Sequence, residues 1–534
     1  MSKQSMNLEE KLRQYTGFES FRTGQREIVD RLMAGKNVLG LLATGGGKSL
    51  TYQFPSLLFP NLTLVVTPLI SLMIDQVQQL KAKGRHDVTY LNSSLSVPEM
   101  RQILQEVEYG KYKLVYISPE KLQQSHVMSI LKKRGVSLVA VDEAHCISQW
   151  GHDFRTDYMK LPQIMNELGN PTVLAVTATA TTEVQQELAS LFHIQPEDRV
   201  ILSLNRENIA YEIQAVDSDK EKIRQLIETI RTVKGPGIVY CSTRQSVEQL
   251  VQAFHMEGIT SVHGYHGGMS AMDRILIQEQ FLRDELSVII ATNAFGMGID
   301  KPNIRFVLHY HYPPSMEAYV QEVGRIGRDG KPGYACLFYH PDDYYIHNRL
   351  MQNEIPTQVE IQQFIQYLAT KGHALGQTEV THAELFAWVG LSEQSWRMLF
   401  FYCEQAGMIQ QSAQSKNGFT YQLNGNRDLR KVAAQIIRKI EEVKLTKTAK
   451  LRSMQVWLGQ STCLREGLQT YFGERIPSKQ AQCCSLCGLD YEMYRLKEDE
   501  RFSYDNQAGW DLRSSILKLF PGVTLETREV ERFE

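Results

Sequence analysis

Apolar positions between about Val38 and Phe192 fall in short unbroken runs. NVLGLLA, LTLVVTP, KLVYISP, SLVAVDE and TVLAVTA are continuous rather than alternating, the pattern of strands buried on both faces. Between them, SLMIDQVQQLKAKG and PEMRQILQEVEY carry helical spacing. Strands alternating with helices predict a parallel sheet covered on both sides. A second series opens near Pro236 with GIVYC, SVHGYHG, LSVIIATN, IRFVLHY and YACLFY, separated by RQSVEQLVQAFHMEG and SAMDRILIQEQFLRD. The polar stretch AVDSDKEKIRQ, Ala215 to Gln225, reads as a linker. Two similar α/β lobes are therefore expected, with a cleft between them as the natural ligand site.

Beyond His340 the alternation stops. TQVEIQQFIQYLATKG, HAELFAWVG and SEQSWRMLFFYCEQAG read as three helices, the last capped by Ser392. GMIQQSAQSKNGFTYQLN reads as a hairpin turning at Asn417-Gly418. Three helices and a hairpin predict a winged-helix module from Thr357 to about Leu423. A long positively charged helical stretch follows, and then a cluster of cysteines. The expected organisation is a first lobe over 1–206, a second over 207–345, a winged-helix module over 346–430, a helical cysteine-bearing region over 431–490 and a tail over 491–534. In that tail, Trp510 and the apolar SSILKLFPGV are expected to dock on the body.

Composition narrows the class. Hydrophobic residues make up 43% of the 534, enough for large cores. No run of 18 apolar residues marks a membrane span, and MSKQSMNLEEKLRQY lacks a signal-peptide core. A net charge of −2 announces no polyanionic partner, so charge must be read locally. Of eight Cys, four are scattered (Cys146, Cys241, Cys336, Cys403) and four follow Thr462. That pattern fits a reducing compartment and one metal site better than a disulfide framework.

The chemistry sits at the ends of strands. Between the first strand and its helix lies ATGGGKS. Its three glycines let backbone N–H groups close on phosphate oxygens. Lys48 can reach the β/γ-phosphates and Ser49 can ligate Mg²⁺. The strict P-loop pattern fails at Leu42, where a Gly is expected. Asp142 and Glu143 end the run SLVAVDE. The first suits magnesium, directly or through water, and the second suits activation of a water. In the second lobe, QEVGRIGRDG puts Arg325 and Arg328 three residues apart, where an arginine reaching across a cleft can stabilise a transferring phosphoryl group. A bare glycine turn, a solvated acidic pair and a solvated basic helix end are the competing readings; their joint presence in a two-lobed chain weighs against them.

These motifs together, FRTGQ, ATGGGKS, VTPLISLMIDQV, DEAHCISQWGHDFR, TATAT, ATNAFGMGIDKPNIR and QEVGRIGRDG, resemble the RecQ family of superfamily 2 DNA helicases over roughly Phe18 to Tyr339, and the chain order resembles the shorter bacterial RecQ-like (RecS) type. The resemblance implies two RecA-like lobes and ATP-driven movement on single-stranded DNA, with 3′ to 5′ polarity, unwinding duplex or forked DNA in recombination, repair or fork processing. It implies an adenine-reading Gln25 with Arg22 beside it and Phe18 stacking, and a phosphate turn of Thr44, Gly45, Gly46, Gly47, Lys48 and Ser49. It makes His145 a coupling residue, Asp300 and Gln321 inter-lobe residues, and Arg328 rather than Arg325 the arginine finger. Ile326 departs from the small residue usual there and is expected to add bulk near the cleft. The loop after DEAH is implied to sense single-stranded DNA: Trp150 and Phe154 offer faces for bases, and His152 and Arg155 can meet phosphate. At the hairpin, Lys416, Phe419 and Tyr421 are expected to contact or part duplex DNA, although winged helices also serve protein contacts.

The family carries a zinc site with one helical Cys followed by three more at regular spacing. Cys463, Cys484 and Cys487 fit it, while Ala481 stands at the remaining position and Cys483 comes two residues late. Four thiolates still suit zinc, with Cys483 and Cys484 needing an unusual turn. ATP, Mg²⁺ and Zn²⁺ are thus the implied cofactors. Single-stranded and forked DNA are the implied partners, with a single-stranded DNA-binding protein and other repair proteins, in the bacterial cytoplasm at the nucleoid and away from membrane. A non-unwinding translocase, an RNA helicase and an ATP-gated DNA-binding or partner-recruiting protein are the alternatives.

Overall fold

The computed structural model describes residues 8–148, 155–296, 299–372, 376–415, 418–424, 428–475 and 482–496. The first lobe is built on seven parallel strands: β1 (Val38–Leu41), β2 (Leu62–Val66), β3 (Val88–Leu91), β4 (Leu114–Ile117), β5 (Val136–Asp142), β6 (Thr172–Thr177) and β7 (Arg199–Ile201). Their order in the sheet is β3-β4-β2-β5-β6-β1-β7. The second lobe has six: β8 (Ile209–Ala215), β9 (Gly237–Tyr240), β10 (Val262–Tyr265), β11 (Val288–Ala291), β12 (Phe306–His309) and β13 (Gly333–Tyr339), ordered β10-β11-β9-β12-β13-β8. All of these pairings are parallel.

The continuous apolar runs became the buried strands, as expected. Three strands escaped the pattern: β3, β7 and β8. Each lies at the edge of its sheet, where only one neighbouring strand pairs with it and continuous burial is not required. The stretch Ala215 to Gln225 is no linker. It holds the last residue of β8, which pairs with Tyr339, and the start of the helix Asp219–Thr232, capped by the Ser218 side chain on the Glu221 N–H. The chain instead passes between the lobes over 202–208, after β7 and before β8.

The third module holds helices Gln358–Lys371, His382–Val389 and Glu393–Gln405 with a small antiparallel sheet, β14 (Thr378–Thr381), β15 (Ile409–Ser415) and β16 (Gly418–Leu423), ordered β14-β16-β15. The Ser392 cap is present. Helix Leu429–Leu458 then runs 30 residues, about 45 Å, and belongs to two cores. Val432, Ile436 and Ile440 pack into the third module, whereas Leu451, Met454 and Trp457 pack into the second lobe. Helix Leu464–Tyr471 follows and lies across both lobes: Leu464 and Leu468 join the second lobe's core, and Phe472 joins the first lobe's. Residues 497–534, with Trp510 and the SSILKLFPGV patch, lie outside the described residues.

Candidate active site between the lobes

In parallel α/β sheets, ligands gather at the carboxyl ends of the strands. The ATGGGKS turn leaves β1 there, Asp142 closes β5, and Thr177 closes β6 between them. Gly45 and Gly47 hold φ of 82° and 78°, left-handed values that favour glycine. A side chain on Gly47 would also run into Gln25, because the Gln25 Nε2 donates to the Gly47 carbonyl at 2.9 Å and the Gly46 carbonyl at 3.2 Å. Gln25 is 2% exposed and accepts from the Arg22 N–H at 2.9 Å, while the Arg22 Nη1 donates to the Gly45 carbonyl at 2.8 Å. The expected base-reading residues therefore hold the carbonyl side of the phosphate turn. Half-exposed Phe18 keeps a ring face open nearby in sequence.

Lys48 Nζ lies 3.6 Å from Glu143 Oε1. Glu143 adopts φ 48°, ψ 47°, a strained backbone for a residue other than glycine and one that concentrates at functional sites. Asp142 is 5% exposed, accepts from Tyr52 OH at 3.3 Å and from the Glu143 N–H at 2.9 Å. Burial and then the adjacent Glu143 carboxylate push its pKa up to about 6, with Lys48 opposing. A buried carboxylate so under-compensated, with Ser49 beside Lys48 on the phosphate turn, fits a hard divalent cation. His145 lies beside Glu143, Nδ1 to Oε2 at 3.4 Å, and shares a 2.8 Å hydrogen bond with Thr177 Oγ1 of the TATAT run.

The second lobe presents its arginines to this turn. Arg325 is buried and donates to the Gly296 carbonyl. Arg328 Nη1 donates to the Ile299 carbonyl at 2.9 Å and to Asp300 Oδ1 at 2.7 Å. Its stem meets the first lobe, since a Cβ built on Gly45 falls 3.0 Å from Arg328 Cγ. A Cβ built on Gly324 likewise falls 3.1 Å from Thr44 Oγ1. Gln321 stands on helix Met316–Val323, whose Val320 packs against both lobes' cores. The Nε of Arg325 and of Arg328 lacks an acceptor among the described residues. Burial, then the neighbouring Arg325, pushes the Arg328 guanidinium below its ordinary pKa. A buried and a half-buried guanidinium, each with its Nε still free to donate among the described residues, suit a phosphoryl group that gains charge as it transfers. Ile326 does not crowd the cleft. It is fully buried in the second lobe's core, in space left by Gly333.

Trp150, His152 and Phe154 lie outside the described residues, as does Lys416. The base of the first loop is pinched where the Arg155 N–H donates to the Cys146 carbonyl at 2.9 Å. Tyr158, just beyond, donates its OH to the Asp142 carbonyl at 3.2 Å. Arg155 turns its Nη1 toward the Pro68 carbonyl at 3.5 Å. Phe419 and Tyr421 require correction as DNA contacts. They are 1% and 0% exposed, packed with Trp396, Phe400 and Leu399 in the third module's core. Alternation along β16 sends both rings inward.

The Sγ atoms of Cys463, Cys483, Cys484 and Cys487 lie within 4.8 Å of one another, close to the spacing of about 3.8 Å that four bonds of 2.3 Å to one zinc would set. The turn needed for adjacent ligands is there: Gln482 takes φ 56°, and Cys484 then bridges to Tyr211 of β8. Residues that the sequence did not single out complete the surroundings. Tyr52 follows the phosphate turn by one helical turn, a spacing that could have flagged it. Arg206 and Arg465 carried no signal, because each is a lone cation in an ordinary stretch.

Comparison with known proteins decides the family. The DEAD/DEAH box helicase family matches residues 22–188, and the helicase conserved C-terminal domain matches 221–330. The probable ATP-dependent DNA helicase RecS of Bacillus subtilis is 39% identical over 92% of this chain and 94% of its own. The chain belongs to the RecQ family of helicases. The RecQ helicase of Pasteurella multocida is 42% identical over 68% of the chain, which spans only 56% of that longer relative. Among solved structures, helicase MrfA bound to DNA and AMPPNP superimposes with a TM-score of 0.53 at 18% identity, over 80% of this chain and 64% of that one. Yeast Dbp5 bound to RNA does so at 0.52 and 17%, over 65% of this chain and 90% of its own. These two share the fold of this RecQ-family chain.

Proposed function

We infer that the chain is an ATP-dependent RecQ-type DNA helicase, which spends ATP hydrolysis on moving along one strand and parting it from its complement. The observation that carries this reading is the meeting of Arg328 with the phosphate turn at Gly45. It brings chemistry from both lobes to one cleft, as a motor driven by closing and opening requires. Gln25, Arg22 and Phe18 take the base, the backbone of 44–47 with Lys48 takes the phosphates, and Glu143 activates water. His145, tied to Glu143 and Thr177, relays the state of the cleft, and Gln321, Asp300, Arg325 and Arg328 serve from the second lobe. Ser49 and Asp142 would hold magnesium, which when bound neutralises phosphate charge. Cys463, Cys483, Cys484 and Cys487 would hold zinc, which when bound fixes their module to β8.

The DNA strand is read by the loop 149–154 with Arg155. Because Cys146 and Tyr158 fasten that loop to the Asp142–Glu143 strand end, strand binding shifts the water-activating carboxylate directly. Lys416, at the hairpin of a winged-helix-like third module, meets the duplex ahead. Polarity is 3′ to 5′, and the setting is repair, recombination or fork processing at the bacterial nucleoid, beside a single-stranded DNA-binding protein and other repair proteins. ATP turnover measured side by side with single-stranded DNA, duplex DNA and RNA tests the reading. Single-stranded DNA should stimulate turnover most, and a forked duplex should be unwound. Equal stimulation by RNA, or none by DNA, would reject it.

A further inference from the structure

One half-buried cation outside the family motifs touches both halves of the cleft. Arg206 stands in the crossing segment between β7 and β8. Its Nη1 donates to the Thr44 carbonyl of the phosphate turn and to the Gly324 carbonyl, each at 3.1 Å. Its Nη2 donates to the carbonyls of Ile326 and Gly327, each at 2.8 Å. The planar guanidinium thus gathers four backbone oxygens, one from the turn that cradles phosphate and three from the turn that carries Arg325 and Arg328. A lysine ammonium, a single point with three donors, cannot reproduce that fork. Asn208 adds a second tie, donating to Gly327 O at 2.9 Å and Lys331 O at 2.8 Å.

The crossing segment is itself anchored from outside the lobes. Arg465, 1% exposed at the start of helix Leu464–Tyr471, donates to Asn205 Oδ1 and to the Arg206 carbonyl, both at 2.8 Å, and to the Ile209 carbonyl. Beyond the other end of the same helix, Glu474 accepts from Ser203 Oγ at 2.6 Å and from the Leu204 N–H at 2.8 Å. Residues 203–209 are thereby held at both ends by one helix, and Arg206 projects from the middle of the held segment.

We propose that Arg206 is a positioning residue for ATP hydrolysis, registering the turn that bears Arg328 against the phosphate turn. The proposal rests on the function inferred above for Arg328. Misplacing a catalytic group by about 1 Å can cost ~100-fold in rate, so the loss belongs in kcat rather than in nucleotide affinity. The test is a double-mutant cycle in the full-length protein, with Arg206→Ala, Arg328→Ala and the double variant. DNA-stimulated ATP turnover and binding of a fluorescent ATP analogue are measured for each, with Arg206→Lys as the conservative variant. Arg206→Ala and Arg206→Lys should lower kcat about 10-fold or more with KM for ATP within about threefold of wild type. The double variant should be no slower than Arg328→Ala, because both changes remove one function. Wild-type kcat in Arg206→Lys, or losses that multiply in the double variant, would overturn the proposal. Should Arg206→Ala not fold, Arg206→Lys and the Arg206→Lys/Arg328→Ala pair carry the same test. Wild-type turnover in Arg328→Ala would instead reject the role of Arg328, a separate failure.

Discussion

At the residue scale, the two adjacent carboxylates have different burdens. Asp142 is buried and keeps its proton up to about pH 6, against an ordinary 3.8. An acid whose pKa is raised by folding makes the folded state less stable once it ionises. The penalty is absent below about pH 4, grows between there and about pH 6, and is fully present at neutral pH. Asp142→Asn should therefore leave the metal-free protein more stable at pH 7.5, by about 1–3 kcal/mol, while abolishing ATP turnover. Thermal melting in chelator at pH 7.5 and pH 5 checks this: the gain should shrink at the lower pH. A variant that melts below wild type at both values would show that the Tyr52 and Glu143 hydrogen bonds outweigh the charge. The roles of such residues were readable because ATGGGKS and DEAH are chemical signatures in one continuous stretch. Arg206 was not, because its meaning lies in four carbonyls supplied by residues 44 and 324–327, far away in sequence.

At the element scale, every central strand is readable, and of the lobes' four edge strands only β10 is. Burial on both faces writes a continuous apolar word, and β3, β7 and β8, at the edges of their sheets, carry Thr, Arg, Glu and Gln among their apolar residues. The hairpin is legible in the sequence; the direction of its aromatics is not. Phe419 and Tyr421 are two residues apart and must share a face, and Trp396 and Phe400 of helix Glu393–Gln405 need that face for their core. The same helix turns Glu404 toward the first lobe, 2.7 Å from Lys160 Nζ. Phe419→Ala should accordingly cost about 3–5 kcal/mol of the third module's stability. Below its lowered melting temperature, the variant should bind forked DNA as wild type does. Calorimetry and a DNA titration at 15 °C or so would check both; weakened binding with unchanged melting would restore the ring to the DNA surface.

At the scale of the whole molecule, the chain makes one machine from parts that its order separates. The long helix Leu429–Leu458 ties the third module to the second lobe, and the short helix after it, Leu464–Tyr471, lies over the crossing segment. No hydrophobic pattern predicts this, because it depends on which surfaces meet. What the sequence did carry is the pairing of a phosphate turn in one lobe with arginines in the other, and the structure brings Arg328 against Gly45. The most direct measurement is ATP turnover by wild type and Arg328→Ala, each with and without saturating oligothymidylate. DNA should raise the wild-type rate severalfold or more, and the variant should fall ~100-fold or further below the stimulated wild type while binding nucleotide equally well. A variant that DNA drives as fast as wild type would contradict the account of hydrolysis shared between the lobes.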